Sequence, residues 1–297
     1  MDPLAGLLGL DGVAEAVDAA RSGCEDLRWH EGFRRRWREI RAEADLRAVR
    51  GSAAVEGARV PLTAVRRLAV GSAADDPDLA VAAGALRATA LAARWRPDLG
   101  ARSGPPVPPL AELLARLHTA AMRDLLPDEE LGRLRTGDQP RDLTGLGPAP
   151  DGDALAGRMT LLSRTLAATG VPALVAGSVL HGELLALRPF AAGNGVVARA
   201  AARLVLVRRG LDPTGAVVAE SGWAQAPNPY LGAAAGFSTG TAQGVAGWIT
   251  FCARSVLAGA QVGREVADAV LAGRLGESPV GLPPEHTDDG AHEERRR

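Results

Sequence analysis

The stretch Leu187–Arg199, LRPFAAGNGVVAR, decides how this chain is read. It joins two runs rich in Ala, Leu and Val, one ending at Leu187 and one from Val196 to Arg209 that Gly210 stops. Ala and Leu are among the best helix formers, so both runs are predicted helices. Between them stand Gly193, Asn194 and Gly195. Glycine permits unusual backbone angles and lets a ligand approach the main chain. The amides that open a helix have no intrahelical partners, and the helix dipole adds partial positive charge there. The loop is therefore a candidate phosphate cradle, bracketed by Arg188 and Arg199. On these residues alone, a Gly-Asn-Gly turn that only caps a helix is the commoner arrangement.

Outward from this loop the chain remains helical. Upstream, the pattern predicts helices over about 154–169 and 172–187, with Pro172 suited to a first turn. Another helix is expected from Leu110 to about Leu126, where Pro127 ends it. Residues 131–152, rich in Gly and Pro, read as a long loop or short hairpin. Loops of that length in a compact domain are uncommon and often serve as lids or binding loops. Residues 97–109 carry five prolines and two glycines and read as a linker. Before it, residues 61–96 give two helices broken near Gly71–Pro77. Residues 11–50 give an amphipathic pattern in which Trp29, Phe33, Trp37 and Ile40 form one apolar stripe. The run Arg34–Arg36 is interleaved with Glu31, Glu39 and Glu43 and reads as a solvated helix face. Downstream, 229–236 and 241–272 complete the helical count, and the tail from Gly276 has the composition of disorder. The expected organisation is a helical region over 1–96, a linker over 97–109, a core over 110–275 and a disordered tail over 276–297.

Composition narrows the function classes. With 46% hydrophobic residues and a net charge of -1, nothing draws the chain as a whole to nucleic acid or to an anionic membrane. No uninterrupted apolar run approaches the roughly 20 residues of a membrane span. All the basic residues are arginine, which looks like genomic coding bias more than a functional signal. The two cysteines, Cys24 and Cys252, lie far apart, as buried thiols of a reducing compartment do. The N-terminal residues show no basic signal-peptide region. A cytoplasmic, all-α protein is expected.

In its context the motif resembles the signature of the Fic (Fido) family, His-x-Phe-x-(Asp/Glu)-Gly-Asn-Gly-Arg-x-x-Arg. Phe190, Gly193, Asn194, Gly195 and Arg199 fall in register. Leu117–His118 and the stretch Gly132–Thr136 look like the family's first core helix and its flap, and Tyr230 and Trp248 like its closing helices. Ser52, Glu56 and Gly57 resemble the family's (Ser/Thr)-x-x-x-Glu-(Gly/Asn) inhibitory motif. The resemblance spans roughly residues 40–260. It implies a Fic helical bundle with a short flap hairpin and an N-terminal helical extension. It also implies that Glu56 pairs with Arg199 and blocks the position of a nucleotide γ-phosphate. A capping serine with a surface acid is the plainer reading of Ser52 and Glu56.

Three signature positions are changed. Arg188 stands where the family has its catalytic histidine, Ala192 where it has a metal-binding acid, and Val196 where it has its first arginine. A general base needs a pKa near working pH, and arginine, above roughly 12, cannot serve. His181, two helical turns earlier, would lie roughly 10 Å away on a regular helix, beyond proton-transfer reach. Without the acid the natural Mg²⁺ ligand is gone. No residue is therefore assigned as catalytic or as a metal ligand. The resemblance implies ATP or another nucleotide as ligand, held by Arg188, Gly193, Asn194, Gly195 and Arg199, together with an unidentified protein partner. Three functions follow: a catalytically impaired protein that binds a nucleotide or phosphate and regulates, a transferase or hydrolase with altered phosphate chemistry, or an interaction module without a ligand.

Overall fold

The computed structural model describes residues 2–71 and 77–275. Among them run eleven α-helices and no strand. The helices are α1 (Val13–Arg28), α2 (Phe33–Val55), α3 (Leu62–Ala69), α4 (Pro77–Ala93), α5 (Leu110–Met122) and α6 (Gly152–Ala168), followed by α7 (Ala173–Leu187), α8 (Asn194–Arg208), α9 (Glu220–Gln225), α10 (Pro227–Ser238) and α11 (Ala242–Leu271). The tail assigned above to disorder lies outside the described residues.

The axis of the bundle is the α7–α8 hairpin. From Leu174 to Leu187 every α7 residue except Glu183 is buried, as expected for a helix apolar on all sides. Around it one apolar core extends from Leu4 to Val270 and takes residues from both sides of the 97–109 segment. Each fully buried Leu, such as Leu180 or Leu185, contributes about 2 kcal/mol through removal from water. Small residues bring helix backbones close. A Cβ built on Gly51 of α2 would stand 2.7 Å from the Glu220 carbonyl at the start of α9. One built on Gly259 of α11 would stand 2.6 Å from the Ala219 amide. Both cysteines are buried free thiols.

α11 is long and apolar enough, by length and composition alone, to cross a membrane. Arg254 and Arg264 interrupt it, and Trp248, Ile249, Val256 and Val266 are buried against the other helices.

In several places tertiary packing overrides the local pattern. The stripe assigned to residues 11–50 breaks: α1 ends at Arg28, and Trp29 caps it at 72% exposure. The His30 ring accepts the Gly32 amide across the break at 3.2 Å, and Phe33 and Ile40 resume the buried face from α2. Trp37 is half-buried, with the Arg38 and Arg41 guanidinium groups 4.2 and 4.8 Å from its ring centre. α5 stops at Met122, where the amides of Leu125 and Leu126 both turn back onto the Met122 carbonyl. Residues 131–151 form a loop with one short 3₁₀ turn at Thr144–Leu146 and no hairpin strands. The short helix α9 is not anticipated by the sequence pattern.

Candidate functional site

α2 delivers the first pair of site residues. Ser52 is buried in its last turn, and Glu56 caps its end. Gly57, at φ +95, turns the chain away in the left-handed region that favours glycine. The Ala58 amide bonds back to the Ala53 carbonyl at 3.0 Å, which fixes the turn. Glu56 thereby points inward across the start of α8, where Arg199 Nη2 donates to its Oε1 at 2.6 Å. The same guanidinium donates from Nε to Ser52 Oγ at 2.9 Å and from Nη2 to the Ser52 carbonyl at 3.1 Å. Arg199 is 2% exposed. Burial disfavours its charge, but Glu56 and Tyr230 more than compensate, so the pKa is raised.

The motif loop is held from three sides. Asn194 folds onto its own loop: its Oδ1 accepts the Phe190 amide, and its Nδ2 donates to the Phe190 carbonyl, both at 2.9 Å. His118 of α5 stacks on Phe190 at 4.1 Å between ring centres. The His118 Nδ1 accepts the Gly132 amide at 2.9 Å, so Nε2 carries the proton and donates to the Ala192 carbonyl at 3.0 Å. Burial lowers the His118 pKa to about 4 and keeps the ring neutral. The 131–152 loop binds from outside, with the Arg135 amide on the Pro189 carbonyl at 2.9 Å and the Arg141 amide on the Ala191 carbonyl at 2.8 Å. The segment expected to act as a flap therefore pairs with the motif loop.

Arg188 does not face the cradle. It sits at φ +42, with Nη1 donating to the Leu143 carbonyl at 2.9 Å and Nη2 to the Gly147 carbonyl at 2.6 Å. It is 1% exposed, and burial lowers its pKa against the pull of Asp142. The guanidinium thus holds a loop in place. Val196 packs with Met122, Val49 and Ala53, and Ala192 lies against that cluster, so an apolar wall stands where the family pattern places a cation and a metal-binding acid. His181 is fully enclosed, bonded to the Tyr230 hydroxyl at 2.8 Å, with its pKa lowered by burial to about 3. Among the described residues no three His, Cys, Asp or Glu side chains gather in a way that could hold a metal ion.

One site residue is not foreseen by the sequence. Asp142 grips the first residue of α8: Oδ2 accepts the Asn194 amide and Oδ1 accepts Asn194 Nδ2, both at 2.7 Å. Burial raises its pKa against these bonds, and the Glu56 charge adds to the rise. Nothing in the sequence distinguishes it from Asp138 or Asp151; the only signal is the unusual loop around it.

The helical bundle built around the α7–α8 hairpin has the Fic fold. Solved structures with this fold are similar over most of the chain. A Fic family protein from Desulfovibrio desulfuricans shares 20% identity, covering 87% of this chain and 74% of its own, at a TM-score of 0.64. A Fic domain-containing signalling protein from Bacteroides thetaiotaomicron shares 13%, covering 86% and 98%, also at 0.64. Fic-1 from C. elegans shares 17%, covering 88% and 74%, again at 0.64. No family model matches the sequence, and no curated protein matches it. At these identities the likeness establishes the fold.

Proposed function

We propose that this chain keeps the anion cradle of a Fic-type nucleotide site without its transfer chemistry, and acts in regulation as a self-inhibited binder of a nucleotide or phosphorylated ligand. The observation that carries this reading is the 2.6 Å contact between Arg199 and Glu56 over the opening of α8. A buried arginine beside a helix N-terminus suits an anion, and here a carboxylate of the chain itself takes that place. Transfer chemistry lacks a base: Arg188 cannot accept a proton, and His118 and His181 are buried with their ring nitrogens engaged or enclosed. The side chains of Ala192 and Val196 offer neither a metal ligand nor a phosphate contact. A cytoplasmic location and an unidentified protein partner belong to the same proposal.

The test is incubation of the protein and of Glu56→Gly with α-labelled ATP and Mg²⁺. No incorporation into any protein is expected. Metal-dependent labelling that disappears on Arg188→Ala would overturn the reading in favour of altered phosphate chemistry. The reading as an interaction module has its own support, because Arg188 serves loop carbonyls and Asn194 serves Asp142. It requires a melting temperature indifferent to ATP in every variant.

A further inference from the structure

The start of α8 is covered twice, from two directions. Glu56 arrives from α2 and rests against Gly195, where a Cβ would stand 2.2 Å from Oε1. Asp142 arrives from the opposite loop and takes the Asn194 main-chain and side-chain amides in a two-pronged grip at 2.7 Å. Asp142 thus takes an amide at the helix start, where negative oxygen is favoured, and Glu56 neutralises Arg199 beside it. Beside these amides stands the buried Arg199 guanidinium, whose Nη1 lies 2.9 Å from the Cβ position of Gly195. Its charge adds to the pull of the helix start on negative oxygen.

We propose that Asp142 is a second internal plug of the α8 anion site, independent of Glu56, and that Arg188 is the clasp that seats it. Arg188 is placed to do so because it ties down the Leu143 and Gly147 carbonyls, immediately after Asp142 and at the end of the same turn. Arg141 and Arg135 secure the approach through their amides on Ala191 and Pro189. The residue at the position of a base thus holds the carboxylate that fills the cradle. Withdrawing Glu56 alone leaves Asp142 on Asn194, and an incoming phosphate then meets both a carboxylate and its hydrogen bonds. The site opens only when the α2 end and the 135–147 segment both release. This inference rests on the phosphate-site reading above and adds a second condition to it.

The experiment is calorimetric titration of ATP into six proteins: the natural chain, Glu56→Gly, Asp142→Ala, the double variant, and Glu56→Gly combined with Arg188→Ala or with Asp142→Asn. Thermal melts accompany each. Asp142→Asn combined with Glu56→Gly serves as a milder substitution, since an amide oxygen still accepts the Asn194 amide and supports folding. The double variant is expected to bind ATP at least about tenfold more tightly than Glu56→Gly, with the Asn and Arg188→Ala combinations in between. Equal affinity of Glu56→Gly and the double variant overturns the plug while leaving the phosphate site standing. No binding by a folded double variant overturns the phosphate site and the plug together.

Discussion

Glu56 leans on Gly195 so closely that no other side chain fits between them: an added Cβ would come within 2.2 Å of the carboxylate and 2.9 Å of Arg199 Nη1. Gly195→Ala should therefore push Glu56 away and leave Arg199 buried without its counter-charge. Alanine favours the helix by up to about 1 kcal/mol, while loss of a buried partner costs about 3–5 kcal/mol. A net loss of about 2 kcal/mol or more is expected by urea denaturation. Unchanged stability would mean that the pair contributes little.

The same pair can be measured directly. Arg199→Ala removes contacts to Ser52 and Glu56 inside the core. It should cost about 3–5 kcal/mol, and Glu56→Gln less, because Glu56 reaches partly to solvent. A double-mutant cycle should return a coupling of about 1–3 kcal/mol, whereas additive costs would show that the two act separately.

Restoring the histidine alone should not restore a working base. Arg188→His deletes both guanidinium bonds to the Leu143 and Gly147 carbonyls. The expected result is faster amide hydrogen exchange across residues 135–147, with no ATP-derived labelling of protein. Exchange equal to the natural chain would show that Arg188 does not secure the loop.

His118 makes stability depend on pH. Its folded pKa is held near 4, against about 6.5 when unfolded. The unfolded chain therefore takes up the proton first as pH falls, so stability is full above about 6.5 and is lost toward 4, by about 3 kcal/mol from this residue. Buried His181 acts with the same sign, whereas the raised carboxyl groups of Asp142 and Glu220 act with the opposite one. Comparison of the natural chain with His118→Gln at pH 7 and pH 4.5 isolates the contribution. The variant should lose less stability on acidification, and parallel losses would rule the contribution out.

The sequence was most informative where structure follows from neighbours along the chain. The hairpin of α7 and α8 could be read because an all-apolar run, a Gly-Asn-Gly turn and a second apolar run specify it locally. The approach of Glu56 to Arg199 is what the resemblance of two motifs to those of the Fic family implies. Trp29 was misplaced because periodicity alone does not show that the chain breaks at Gly32. Trp29→Ala is accordingly expected to change stability by less than about 0.5 kcal/mol, and Phe33→Ala by about 3–5 kcal/mol. Asp142, and Arg188 as its clasp, stayed hidden for a different reason. Their roles depend on where a long irregular loop comes to rest, and no local pattern encodes that.

The most direct measurement is the fate of ATP on the protein once both carboxylates are withdrawn. Glu56→Gly/Asp142→Ala protein is dialysed to equilibrium against α-labelled ATP with Mg²⁺, and the bound nucleotide is then recovered. A site that binds without transferring holds ATP and returns it intact, with no AMP on protein and no pyrophosphate released. Nucleotide that fails to bind, or that comes back cleaved with its label on protein, contradicts that conclusion.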